Sequence, residues 1–394
     1  MSTTSADRPR RAGRHFLQIP GPTPVPDRIL RSIDMPTMDH RGPEFGKLGQ
    51  RVLERLKLIF KTRNPVFIYP ASGTGAWTAA LVNTLSAGDH VLMVETGQFA
   101  LLWKVIADKL GLKPEFIATD WRRGAPPELI EERLRADKGH TIKAVCVVHN
   151  ETSTGALSRI PEIRAAIDRA GHPALLMVDS VSGLGSADLR HDEWGIDVTV
   201  AGSQKGLMLP PGLSFNAVSD KAMAAHKASS LPRTYWDWSD MAPANARGYF
   251  PYTPATNLLY GLDCAIDMLL EEGLDAVFLR HQRHALATRT AVGVWGLETL
   301  CVDAREHSPV VTAVVMPQGH DADAVRRVIL ERFDMSLGMG LGKVTGKILR
   351  IGHLGDINDL TVLAALAGVE MGLGLAGVPH TKGGVQAAMQ VLAA

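Results

Sequence analysis

From about residue 65 to residue 202, short apolar runs alternate with longer runs of helical character. This alternation constrains the fold more than any other feature of the chain. Segments 65–69, 90–95, 144–148, 174–178 and 198–202 read as strands, and 73–85, 99–110 and 160–170 as helices. Strands joined through helices are joined by crossovers, which gives a mostly parallel sheet covered on both faces. Ligands of such sheets bind beyond the carboxyl ends of the strands. Ser72, His149, Asp179 and Ser203 each fall just past a strand or at its end, so the pattern predicts that they share one site.

A Pro- and aromatic-rich stretch, 231–254, breaks the alternation, and two long helices are expected after it, over 257–272 and 274–295. From about residue 310 the elements shorten: 310–316, 322–333, 347–351 and 359–373 read as a smaller α+β unit. The expected organisation is a leader over 1–14, a large unit over 15–270 and a small one over 271–394. The leader is polar and basic without an apolar centre, so it reads as disordered chain and not as a secretory signal. No apolar run is long enough to span a bilayer. Lys plus Arg is 42 and Asp plus Glu is 41, a net charge of +1, which gives no argument for a nucleic-acid partner. Cys146, Cys264 and Cys301 are far apart and form no C-x-x-C pair. That excludes a disulfide framework, gives no metal site, and fits a reducing cytoplasm.

Five polar clusters carry the candidate chemistry. Lys205, in Ser203-Gln204-Lys205-Gly206, lies between a buried strand and the Leu209-Pro210-Pro211-Gly212 loop. A lone loop lysine is ordinarily a surface residue, but Schiff-base chemistry needs one that is buried enough to lose its proton. Asp179 ends an apolar strand, where its ordinary role is capping a turn. It could equally keep a pyridinium nitrogen protonated. Ser72-Gly73-Thr74-Gly75-Ala76 runs from a strand into a helix, where backbone N–H groups and hydroxyls suit a phosphate. Gly73-x-Gly75 with Glu95 about twenty residues on also imitates a dinucleotide fingerprint. Thr78 stands where the third glycine belongs, and that reading leaves Lys205 and Asp179 without work. The loop His149-Asn150-Glu151-Thr152-Ser153-Thr154-Gly155 can bond a ring oxygen or cap a turn. Arg350 sits inside an apolar strand and needs an anionic partner, either a substrate carboxylate or an internal one.

Pro20-Gly21-Pro22-Thr23, Ser72-Gly73-Thr74-Gly75, the 149–155 loop, Asp179-Ser180-Val181-Ser182, Gly202-Ser203-Gln204-Lys205-Gly206 and Arg350-Ile351-Gly352-His353-Leu354-Gly355 occur in that order. From about His15 onward the chain resembles the class V aminotransferases, in their serine–glyoxylate and alanine–glyoxylate branch. The resemblance implies the type I aspartate-aminotransferase fold, pyridoxal phosphate as cofactor, and a homodimer. It makes Lys205 the Schiff-base lysine and proton carrier and Asp179 the partner of the ring nitrogen. Thr74, Gly75 and Ala76 would hold the phosphate with Gln204. Thr152 would bond the ring hydroxyl, Val181 would pack beneath the ring and Phe99 would stack on it. Arg350 would take the substrate's α-carboxylate, with Thr23 beside the substrate pocket. Tyr252 and Thr253 match a segment that reaches the neighbouring subunit's phosphate, which makes the site composite.

The implied reaction moves an amino group from serine, alanine or aspartate to glyoxylate in two half-reactions at one site, with ping-pong kinetics. His40 or Arg41, in Asp39-His40-Arg41, is the candidate reader of the donor side chain; a surface salt bridge is its plain alternative. The same scaffold also carries lyases and hydrolases of the kynureninase and cysteine-desulfurase kind. A desulfurase needs a reactive cysteine on a mobile loop. Cys146 falls in a strand, Cys264 in a helix, and Cys301 ahead of strand-like sequence.

Overall fold

A computed structural model describes residues 12–394. Its strands, in chain order, begin with β1 (Phe16–Gln18), β2 (Val66–Tyr69), β3 (His90–Glu95), β4 (Lys113–Ala118) and β5 (Ile142–Val148). They continue with β6 (Asn150–Glu151), β7 (Ala156–Leu157), β8 (Leu175–Asp179), β9 (Val198–Gly202) and β10 (Ser214–Val218). The last are β11 (Glu298–Thr299), β12 (Val311–Val315), β13 (Met335–Met339) and β14 (Ile348–Gly352).

Seven strands form one sheet in the order β2-β10-β9-β8-β5-β3-β4. The pairs β3–β4, β3–β5, β5–β8 and β8–β9 are parallel. Strand β10 is antiparallel to both β9 and β2. Six strands therefore run one way, and β2, β5, β8 and β9 end on the same side of the sheet. This is the expected α/β architecture. The reversed strand β10 was not expected; it needs no crossover helix, because it follows β9 through the 203–213 loop.

Strands β5, β8 and β9 are apolar almost throughout because both their faces are covered. Alternate residues feed two cores. Val145, Val147, Leu176 and Val178 pack with the helices Pro43–Phe60 and Thr256–Glu272. Ala144, Cys146, Leu175 and Met177 pack on the other face with the helix Gly73–Thr84. The helix Pro43–Phe60 was also not among the expected elements. Its buried Phe45, Leu48, Val52, Leu56 and Ile59 recur at helical spacing, and Pro43 suits its first turn.

The second sheet has the order β1-β13-β14-β12-β11 and its own core, with Val314, Leu337, Leu349 and Leu366 at the centre. The helices Leu274–Val294, Ala322–Phe333, Asp359–Leu375 and Gly384–Ala393 pack around it, which gives the α+β unit read from the sequence. One strand comes from the far end of the chain. Phe16 pairs with Met335 and Gln18 with Leu337, in parallel. Of the expected leader, residues 1–11 lie outside the described residues.

Candidate active site

A cleft of about 170 Å³ opens where β2, β5, β8 and β9 end. Ser72, Thr74, Phe99, Thr152, Asp179, Val181, Gln204 and Lys205 all line it. His149 and Ser203 stand behind it. The His149 ring meets Ser180 Oγ at 3.1 Å, and burial lowers its pKa to about 4, so it is neutral. Ser203 Oγ donates to the Pro210 carbonyl and accepts the Leu213 N–H, which pins the loop carrying Lys205.

Lys205 lies three residues past β9 and is buried. Its Nζ donates to the Pro20 carbonyl at 2.6 Å. Burial first, and the charge of Arg350 second, lower its pKa to about 8. Near that pH roughly half the amine is free, against well under about one part in a hundred for an ordinary lysine. Gly21 is required beside it: φ is +95°, and a Cβ there would overlap the Lys205 side chain.

Asp179 is the last residue of β8, paired with Val200 of β9, and is 3% exposed. Its Oδ1 accepts the Val181 N–H at 2.7 Å. Burial nevertheless raises its pKa to about 7, and the charge of Glu151 pushes the same way. Arg350, in β14, brings the small unit to the cleft. Its Nη1 donates to the Thr152 carbonyl and its Nε to the Met339 carbonyl, both at 2.8 Å. Burial lowers its pKa to about 10, so it stays charged, with the remaining donors of its fork uncommitted.

Other expected residues lie further off. The N–H groups of Gly75 and Ala76 bond the Ser72 carbonyl, so the first N–H groups of this helix are those of Gly73 and Thr74, and no side chain caps them. Thr23 sits behind Lys205: its N–H bonds the Gln204 carbonyl and its hydroxyl the Lys205 carbonyl. His40 and Arg41 do not line the cleft of a single chain. Arg41 is exposed, and His40 Nε2 is buried without a hydrogen-bond partner. Tyr252 is turned inward, donating to the Ile68 carbonyl at 2.6 Å and stacked on Tyr235. Thr253 is exposed.

Six lining residues were not named as site residues: Gly21, Pro22 and Gly73, which lie within motifs already quoted, and Trp77, Asn150 and Ser182. Trp77 is one turn into the helix after Ser72, where an apolar residue cannot be told from core by sequence. Asn150 and Ser182 belong to motifs already singled out. Ser182 Oγ accepts from Thr152 Oγ1 at 2.7 Å and from Asn150 Nδ2 at 2.8 Å, tying the 149–155 loop to the turn after Asp179.

The family model described as aminotransferase class-V matches residues 21–342. The chain belongs to the class V aminotransferases. It is 49% identical to the serine–glyoxylate aminotransferase of Methylorubrum extorquens, over 97% of each chain. It is 46% identical to the L-aspartate–glyoxylate aminotransferase of Paracoccus denitrificans, over 94% of each. Among solved structures, the ureidoglycine–glyoxylate aminotransferase of Bacillus subtilis superposes with a TM-score of 0.90 at 30% identity, covering 98% of this chain and 100% of that one.

The cofactor of this aminotransferase is pyridoxal phosphate, and the cleft fits it. Asp179 is a buried carboxylate on the cleft wall that can pair with a protonated ring nitrogen, whose positive charge would offset the burial that disfavours its ionised form. Gln204 and Asn150, on two lining residues, each carry a buried amide oxygen without a hydrogen-bond partner, and an amide turned over would present N–H donors to the cofactor's oxygens. None of the three cysteines lines the cleft. Cys146 is in β5, and burial pushes its thiol up. The expectation for Cys301 needs correction. A loop with a 3-10 turn, Ala304–Glu306, follows it before β12, but its thiol is buried against the Glu306 carbonyl, with its pKa raised to about 11. The desulfurase reading is therefore not favoured.

Proposed function

We propose that this aminotransferase carries an amino group from a small monocarboxylic amino acid, serine foremost, to glyoxylate. The charge of the cleft carries this reading. Arg350, bonded to the carbonyl of the lining residue Thr152, supplies one carboxylate fork, and Lys205 is the one cation among the described residues that line the cleft. Serine, alanine and glyoxylate each bring one carboxylate. The second carboxylate of aspartate meets no further cation among the described residues that line the cleft, and Arg41 of a second copy is our candidate for that role.

Bound pyridoxal phosphate supplies a carbon that takes up the amino group and a ring that accepts an electron pair. Asp179 holds the ring nitrogen protonated. Lys205 Nζ takes the proton from the donor's α-carbon, which its lowered pKa allows. Arg350 orients the carboxylate. Thr152, Val181 and Phe99 hold the ring, and Ser72, Thr74, Gly75, Ala76 and Gln204 surround the phosphate.

Homodimerisation, with Tyr252 and Thr253 near the partner site, is part of the proposal. Ser72 and Thr74 are exposed in the single chain, which leaves the phosphate end open for a second copy to close. Thr253 is the better placed of the pair, since the Tyr252 hydroxyl is already engaged. No described helix is long and apolar enough to cross a membrane. We place the enzyme in the cytoplasm because its three cysteines are free. We also propose the division into units at about residue 270, with β1 lent to the second unit.

The test is the absorbance of the purified protein with serine, alanine or aspartate and no keto acid. A visible-edge band that serine bleaches fastest, and that glyoxylate restores, is the expected result. Fastest bleaching by aspartate would overturn the choice of donor, and no band after loading would overturn the site.

A further inference from the structure

The reading above gives no task to Glu151, the one carboxylate on the 149–155 loop. Its side chain is fully buried, yet no arginine or lysine among the described residues forms an ion pair with it. Its partners are donors from two elements. Oε1 accepts the Ser153 hydroxyl at 2.6 Å, the Ser153 N–H at 3.1 Å and the Phe99 N–H at 3.4 Å. Oε2 accepts the Ala100 N–H at 3.2 Å.

Phe99 and Ala100 open the helix Gln98–Lys109, which has no capping side chain of its own and no acidic residue in its first turn. Glu151 meets both needs from another element: its oxygens take N–H groups that the helix cannot, and its carboxylate faces the positive end of the dipole, where these donors oppose the rise in its pKa that burial causes. Ser153 Oγ adds the Gln98 N–H at 2.9 Å. The fit leaves no slack, because a Cβ on Gly97 would come within 2.5 Å of the Glu151 side chain.

Both ends of this clamp lead to the cleft. Phe99, in the clamped turn, lines it. Thr152, the next residue, lines it too, and its carbonyl receives Arg350 Nη1. We propose that Glu151 is a positioning residue: one buried carboxylate fixes the ring-stacking Phe99, the Thr152 loop and the Arg350 fork in a single arrangement, and its charge is felt by the cofactor. The inference rests on the site assignment and not on the identity of the donor.

The test uses the loaded enzyme and its Glu151→Gln variant. Gln keeps the shape, but it removes the charge and turns an amide N–H2 toward backbone donors. The KM for the amino donor is expected to rise about tenfold with kcat within about threefold, since the fork is misplaced while Lys205 is untouched. The pH midpoint of the bound cofactor's absorbance should move to lower pH, because a nearby negative charge that favoured protonation is gone. A merely structural glutamate would change thermal stability and leave both readouts unmoved, and that result would overturn the proposal. Should Glu151→Gln not fold, Ser153→Ala removes two bonds of the clamp, to Glu151 Oε1 and from the Gln98 N–H, and should shift KM and the midpoint in the same directions by less. An unchanged KM and midpoint there would equally overturn it. A wild type without the cofactor band would instead refute the site assignment itself.

Discussion

Lys205 and Asp179 occupy the ends of neighbouring strands, and burial moves both toward their neutral forms. For Asp179 this has a thermodynamic sign. Unfolded it ionises near 3.8, but in the folded cofactor-free chain near 7, so folding takes up a proton between those values. Its contribution to stability therefore falls as pH rises from about 4 to about 7. Asp179→Asn should remove that loss. The thermal midpoint of the cofactor-free variant is expected to rise relative to wild type across this window, by at most about 4 kcal/mol in stability. Turnover of the loaded variant should fall by about a hundredfold or more. A constant gap between the two melting curves from pH 4 to 8 would refute the buried carboxylate. Arg350→Ala is expected to raise the KM for donor and for glyoxylate alike, each by about tenfold to a hundredfold. Unequal effects would mean that the two substrates use different carboxylate forks.

At the scale of elements, most of the site was legible because it sits at strand ends. An apolar run of five residues that stops at Asp179, or just short of Ser203, announces both the strand and the residue that leaves it. Elements whose partners lie far away in sequence were harder to see. Strand β10 is buried throughout like its neighbours, but nothing local shows that it runs backward. Strand β1 is three residues long and finds its sheet only through β13. The Glu151 clamp was hidden for the same reason, since the helix it caps begins fifty residues earlier. The junction between the units is polar. Glu306, on a 3-10 turn of the small unit, accepts the Gly124 N–H at 2.9 Å and Arg159 Nε at 3.0 Å with its side chain 4% exposed. Arg159 keeps its pair with Glu162, so Glu306→Gln loses only the charge-assisted bonds of Glu306 and should destabilise the protein by about 1–2 kcal/mol. Denaturant titration would check this, and a loss under about 0.5 kcal/mol would show that the junction is solvated.

As a whole molecule, two sheets meet across one cleft, each giving residues the other lacks: Lys205 and Asp179 from the large sheet, Arg350 from the small one. The proposed homodimer should sediment at twice the chain mass and lose activity on dilution in step with dissociation. Full activity in a monomer would remove the composite site. Strand β1 carries a further consequence, for how the protein is made. Phe16 leaves the ribosome 319 residues ahead of its partner Met335. At roughly 5–20 residues per second the wait is on the order of half a minute. Until then Pro20 and Gly21, which follow that strand and cover Lys205, have no sheet to anchor them. The segment that covers Lys205 is therefore fixed only when β1 meets β13, after both sheets have been synthesised.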